Sequence, residues 1–69
     1  MERKRTEQLL EQLHKQLDDA ISKGAREVAR YMYGQIAGVL MLASFLRIID
    51  EQEHDRRFNA LQDKFYEAF

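Results

Sequence analysis

The sequence contains no cysteine and no proline, and only three of its 69 residues are glycine. Without cysteine the chain can form neither disulfides nor thiolate zinc sites. With so little glycine and proline it also lacks the turn residues that β-hairpins require. A chain this short buries only about 60% of its unfolded surface. Its stability must therefore come from dense helix packing or from self-association.

Neither sign of charge is in large excess, because 11 Lys and Arg residues nearly balance 12 Asp and Glu residues. A nearly neutral chain has no strong general attraction for polyanions, so we expect no nucleic-acid partner. Residues 1–20 carry many charges and spaced leucines, which does not fit a secretory signal. The absence of cysteine is compatible with a reducing compartment. These features predict a cytoplasmic protein.

Apolar residues recur at helical spacing and predict three α-helices, over about residues 3–22, 25–48 and 51–68. The first and third helices each have one apolar stripe on an otherwise polar surface. The first stripe comprises Leu9, Leu10, Leu13, Leu17, Ala20 and Ile21, and the other comprises Phe58, Leu61, Phe65 and Phe69. No internal repeat interrupts this pattern. We therefore predict one all-α domain over residues 1–69.

Residues at the predicted helix ends agree with these boundaries. Gly24 follows the first helix, and glycine commonly takes the left-handed conformation after a helix end. Asp50 precedes the third helix, where its carboxylate can accept hydrogen bonds from free backbone amides. Glu53 can reach back to Asp50, which would complete an acidic form of the capping box.

The central helix differs from its neighbours, because between Tyr31 and Leu46 the only clearly polar side chains are Gln35 and Ser44. Two adjoining faces of this helix are apolar at about 100° per residue. One comprises Val28, Met32, Ile36, Val39, Ala43 and Leu46, and the other comprises Tyr31, Gly34, Gly38, Met41, Leu42, Phe45 and Ile49. Two narrow stripes cannot cover so wide an arc. We predict a homodimer or larger oligomer with the second face as its interface.

Gly34 and Gly38 are one helical turn apart within this second face. Two glycines at this spacing leave a strip without side chains, where another helix backbone can approach closely. That helix could belong to a second copy of the chain, or it could be the chain's own first or third helix.

Two Glu-x-x-His spacings, Glu11 to His14 and Glu51 to His54, resemble the spacing that helical bundles use for two metal ions. Such sites also need carboxylates from the other helices, and the central helix offers only Glu27 near its start. We therefore expect no metal and no cofactor.

The two serines, Ser22 and Ser44, have no histidine and carboxylate nearby in the sequence to form a catalytic triad. There is also no glycine-rich phosphate loop. We therefore predict no catalytic residues and no enzymatic activity.

Arg26, Arg30 and Tyr33 share one side of the central helix near its N-terminus, where backbone amides favour anions. They could bind an anion, a nucleotide or RNA by charge and stacking. The near-zero net charge instead favours the interpretation of the arginines as solvated surface residues.

The apolar run from Tyr31 to Ile49 approaches the about 20 residues that a membrane span requires, but Arg47 interrupts it. The stripes on the flanking helices also favour a protein core, so we expect no membrane partner. Our prediction is a non-enzymatic protein-interaction module, a small helical homo-oligomer that acts as an adaptor, inhibitor or regulator of another protein. Anion, nucleotide or RNA binding and a single-span membrane peptide are the alternatives.

Overall fold

The computed structural model describes residues 2–69. It contains three α-helices, α1 (Arg3–Ser22), α2 (Arg26–Phe45) and α3 (Glu51–Ala68), and no β-strand within the described residues. The prediction of an all-α fold is confirmed, and the bounds of α1 and α3 agree with the predicted ones.

α2 supplies the centre of the core, and α1 and α3 both pack against it. Its buried residues define what we call the inner side of α2: Ala29, Met32, Ile36, Leu40 and Ala43. The stripes of the flanking helices cover this side with Leu10, Leu13, Leu17, Ala20, Leu61 and Phe65. Because apolar burial is the main favourable contribution to folding, this side of α2 determines how the three helices assemble.

α1 ends in a Schellman motif around Gly24, which has a φ of +67°. The Gly24 amide donates to the Ile21 carbonyl at 3.0 Å, and the Ala25 amide donates to the Ala20 carbonyl at 2.9 Å. These bonds satisfy carbonyls that the end of the helix would otherwise leave free. The expectation that Gly24 ends the first helix in the left-handed conformation is confirmed.

The same motif ends α2, but an arginine occupies the glycine position. Arg47 has a φ of +59°, its amide donates to the Ser44 carbonyl at 3.0 Å, and the Ile48 amide donates to the Ala43 carbonyl at 2.8 Å. The helix predicted over residues 25–48 therefore ends at Phe45, and its predicted end is wrong. An arginine gives no sequence signal for this ending, because residues other than glycine rarely adopt positive φ.

α3 begins after Asp50, whose Oδ1 accepts a hydrogen bond from the Glu53 amide at 2.7 Å. This half of the expected capping box is confirmed. The Glu53 carboxylate does not complete it, and instead lies 2.8 Å from the guanidinium groups of Arg3 and Arg57. Glu53 thus joins the start of α3 to the start of α1.

Charged side chains connect α1 to α3 along a line that we call the α1–α3 seam. It comprises Arg3, Glu7, His14 and Asp18 on α1 with Glu53, Arg57 and Lys64 on α3. Arg57 donates to both carboxylate oxygens of Glu7, at 2.6 and 2.9 Å. The hydrogen bonds from Arg57 hold the pKa of Glu7 below its ordinary value, and the same bonds raise the pKa of Arg57. This part of the seam is a charge-assisted, two-pronged contact.

Lys64 forms the other end of the seam. Its ammonium group lies 2.9 Å from a carboxylate oxygen of Asp18 and 3.4 Å from Nδ1 of His14. Burial of the imidazole, together with the nearby Lys64 charge, lowers the pKa of His14. The seam therefore favours a neutral histidine between the two helices.

Candidate functional site

The exposed face of α2 lies opposite its inner side. We call it the outer face, and it comprises Tyr31, Gly34, Gly38, Met41, Leu42 and Phe45. Phe45 is 79% exposed, Met41 is 66% exposed and Tyr31 is 65% exposed. Large apolar side chains clustered in this way are typical of surfaces that bind another protein, whereas scattered ones are ordinary. The outer face is therefore the candidate functional site.

Ile49 does not belong to this face, although the sequence places it there as part of the predicted oligomer interface. Its side chain is only 2% exposed and lies in the core. The prediction for Ile49 assumed that the helical spacing continues through Ile49, whereas α2 ends at Phe45 and the chain turns at Arg47. The turn carries Ile49 away from the face that the helix would have given it.

The two glycines of the outer face have no neighbours from the chain itself. A Cβ atom built on Gly34 or Gly38 would meet no atom within 4 Å. Close packing against α1 or α3, one of the two explanations that the sequence allows, is therefore excluded. Glycine inside an exposed helix costs about 0.5–1 kcal/mol relative to alanine, and no contact within the chain accounts for this cost.

A depression of about 690 Å³ adjoins the C-terminal end of the outer face. Met41 and Phe45 form its apolar side, and Asp50, Glu51 and Asp55 from the start of α3 line it as well. The outer face is thus bordered by carboxylates at this end. Sequence reasoning missed this border, although the signal was present, because the three acidic residues lie close together in the segment that follows the central helix.

The opposite end of the outer face carries positive charge. Arg26 and Arg30 are exposed, and neither forms a salt bridge within residues 2–69. Glu27 is also exposed at this end, and Arg47 is exposed and lines the acidic depression together with the carboxylates. Each reduces the local charge by one unit without reversing it. The outer face therefore has a positive end and a negative end.

Tyr33 lies on the side of α2 that packs against α3 and is half-buried. Its ring centroid lies 5.2 Å from that of Phe65, 6.2 Å from that of Phe58 and 6.5 Å from that of Tyr66. These distances are typical of packed aromatic pairs. Tyr33 thus contributes to the contact between α2 and α3, while Arg26 and Arg30, its partners in the predicted anion site, are exposed.

The two Glu-x-x-His spacings lie in different surroundings. Glu11 is exposed and lies 3.5 Å from Lys15, whereas His14 belongs to the α1–α3 seam. His54 stacks on Phe58 with ring centroids 6.0 Å apart, and its Nδ1 lies 3.1 Å from a carboxylate oxygen of Asp55. No cluster of three or more His, Asp or Glu side chains suited to holding a metal ion occurs between Glu2 and Phe69.

The α1–α3 seam is the other feature that sequence reasoning missed. Its pairs join residues about 50 positions apart, such as Glu7 and Arg57, and no short motif indicates such a pairing.

In the part of the chain that the structure describes, no helix is both long enough and apolar enough to cross a membrane. Comparisons with protein families, curated proteins and solved structures found no match to this chain.

Proposed function

We propose that this chain is a non-enzymatic protein-interaction module, a small helical homo-oligomer that acts as an adaptor, inhibitor or regulator of another protein. The observation that carries the proposal is the outer face of α2, where Tyr31, Met41 and Phe45 are largely exposed. Fully burying one large apolar side chain is worth about 1.5–3 kcal/mol. Several such side chains on one helix provide a strong driving force for association.

The open glycines support association through a helix. Gly34 and Gly38 provide free space on the outer face, and a partner backbone can approach closely there and contact the larger side chains on either side. The carboxylates and arginines at the two ends can form a polar rim, as protein interfaces usually have. An apolar centre with a charged border is the arrangement expected of a docking surface.

Sedimentation equilibrium of the native chain and of the Phe45→Glu variant tests the self-association in this proposal. The native protein is expected to show a multiple of the 8.2 kDa chain mass. Phe45→Glu places a charge at the most exposed apolar position of the outer face and is expected to shift the mass to that of one chain, because the apolar contact is lost and a carboxylate is costly to remove from water.

Val28→Glu is the matched control, since Val28 is also an exposed residue of α2, at 54%, but lies beside α1 in a groove with Gln12 and Met32. This variant is expected to associate as the native chain does. A single-chain mass for the native protein across a wide concentration range would reject self-association. Equal loss in both variants would reject the outer face as its site.

A further inference from the structure

Five of the six outer-face residues are placed symmetrically about Gly38, and Met41 is the exception. Tyr31 and Phe45 each lie seven residues from Gly38, and Gly34 and Leu42 each lie four residues from it. At about 1.5 Å per residue, Tyr31 and Phe45 are each about 10 Å from Gly38 along the helix axis. A face with equivalent positions on both sides of one residue can contact a reversed copy of itself across a two-fold axis.

Residue sizes favour this antiparallel arrangement. If Gly38 lies opposite Gly38 of the partner subunit, Tyr31 lies opposite Phe45 of the partner subunit, so that two aromatic rings can pack. Gly34 then lies opposite Leu42 of the partner subunit, so that a large side chain enters the space that a glycine leaves. A parallel pair would instead place Leu42 against Leu42 and Gly34 against Gly34, so that large side chains would meet each other and the space beside Gly34 would stay unfilled.

The charges at the two ends favour the same arrangement. A two-fold axis perpendicular to the helices keeps the α3 side of both copies on one side of the pair. Arg26 and Arg30 then approach the acidic depression of the second copy, which contains Glu51 and Asp55. A parallel pair would bring the positive ends together, where like charges repel.

We infer that the outer face of α2 binds a second copy of this chain in antiparallel orientation, with a two-fold axis at Gly38 and with Arg26 and Arg30 against Glu51 and Asp55 of the partner subunit. This inference rests on the self-association in the proposed function, and adds to it the identity and the orientation of the contacts. In such a dimer each chain contributes one positive end and one negative end. Both ends of the interface are therefore complementary.

Cysteine cross-linking tests the orientation directly. Because the chain has no cysteine, each introduced thiol is the only thiol in its chain. A mixture of Tyr31→Cys and Phe45→Cys chains is expected to form a mixed disulfide on mild oxidation. Phe45→Cys alone is expected to form none, because its two copies would lie about 20 Å apart in the antiparallel pair, whereas a disulfide needs Cα atoms about 4–7 Å apart.

The pair Gly34→Cys and Leu42→Cys provides a second measurement if loss of the aromatic rings weakens the dimer too far. Mass spectrometry distinguishes the mixed product from the two homodimers in both cases. Efficient cross-linking of Phe45→Cys with itself, or of Leu42→Cys with itself, and no mixed product would overturn the antiparallel arrangement in favour of a parallel one.

A charge exchange tests the contacts at the ends. The double variants Arg26→Glu with Arg30→Glu, and Glu51→Lys with Asp55→Lys, are each expected to lose at least about tenfold in dimer affinity, because like charges then meet at both ends. Mixing the two variants is expected to restore a heterodimer, because opposite charges then meet at both ends. Asp50 is left unchanged because it caps α3, and circular dichroism checks that both variants are folded.

The possible outcomes separate the inference from the proposed function. A native chain that stays monomeric would overturn both the self-association and the antiparallel dimer. A second outcome is a native dimer that Phe45→Glu weakens, as the proposed function expects. If that dimer shows a parallel cross-linking pattern, or if the mixed charge variants form no heterodimer, only the antiparallel arrangement would be overturned. Mixed disulfides together with recovery of the heterodimer would support the inference.

Discussion

The inner side and the outer face of α2 are built from the same class of residue but have opposite surroundings. Ile36 is 0% exposed on the inner side, and α1 and α3 cover its neighbours. Met41 and Phe45 lie on the same helix and are largely exposed. Folding of one chain thus covers only half of the apolar circumference of α2. The large apolar side chains on the other side stay exposed.

The difference shows what helical periodicity can and cannot establish. Apolar spacing identifies a helix with two faces that favour burial, but it does not determine which face the flanking helices cover. Here the inner side contains Ile36, Leu40 and Ala43, whereas the outer face contains both glycines of the helix. The flanking helices cover the side without glycine, and the side that contains both glycines is exposed.

The sharpest test of this comparison truncates one apolar residue on each side of α2. Ile36→Ala is expected to lower the free energy of unfolding by about 2–5 kcal/mol, because it removes buried atoms and leaves a cavity. Met41→Ala is expected to change it by no more than about 0.5 kcal/mol in the monomer, because its side chain is exposed. Urea unfolding at a concentration where the native chain is monomeric measures both values.

A loss this large can unfold so small a chain, so Ile36→Val is the milder variant, with an expected loss of about 0.5–1.5 kcal/mol. Similar losses for Ile36→Val and Met41→Ala in the monomer would mean that the outer face is packed within one chain. The distinction between the two sides of α2 would then be wrong.

Replacement of the outer-face glycines is expected to change folding and association in opposite directions. Gly34→Ala and Gly38→Ala should each raise the free energy of unfolding of the monomer by about 0.5–1 kcal/mol, because alanine has the higher helix propensity and the added Cβ meets nothing. The same Cβ should weaken the dimer, because it keeps the partner backbone away. Urea unfolding and sedimentation equilibrium measure the two effects.

Gly24→Ala is the matched control for the glycine variants. Its φ of +67° is strained for alanine, so this variant should lower the free energy of unfolding and leave the apolar contacts of the outer face intact. If Gly38→Ala stabilises the monomer without weakening the dimer, the two helices do not approach closely at Gly38.

Much of the fold follows from the sequence, because its signals are local. The bounds of α1 and α3, the left-handed Gly24 and the Asp50 cap each depend on residues close together in the chain. The end of α2 was not predictable in this way. Arg47 adopts a positive φ because the chain must turn there for α3 to pack, and that requirement is tertiary.

The exposed positions of the outer face were predictable where α2 is a regular helix, but not beyond its end. Tyr31, Gly34, Gly38, Met41, Leu42 and Phe45 are exposed, as a surface face requires, whereas Ile49 lies beyond the true end of α2 and is buried. The charged ends of the face and the α1–α3 seam depend on which residues of different helices meet. Only the assembled fold supplies that information.

The smallest expected effect concerns the α1–α3 seam, which joins the two helices that cover the inner side of α2. The free energy of unfolding is expected to fall as the pH drops below 6.5, the ordinary pKa of histidine. The reason is that the unfolded chain then takes up a proton at His14, whereas burial and Lys64 lower the pKa of His14 in the folded chain. Urea unfolding of the monomer at a series of pH values measures this fall.

Below pH 4.5, the ordinary pKa of Glu7, a second fall is expected. The hydrogen bonds from Arg57 lower the pKa of Glu7 in the folded chain, so their contribution is complete above the unfolded pKa and is lost as the pH falls through the folded one. His14→Gln should flatten the upper part of the profile, and Glu7→Gln should flatten the lower part. If the free energy of unfolding depends on pH in the same way in the native chain and in both variants, the seam makes no pH-dependent contribution to stability. Because the Glu7 carboxylate is partly exposed, solvent screens its contact with Arg57, and the effect should be far smaller than that of Ile36→Ala.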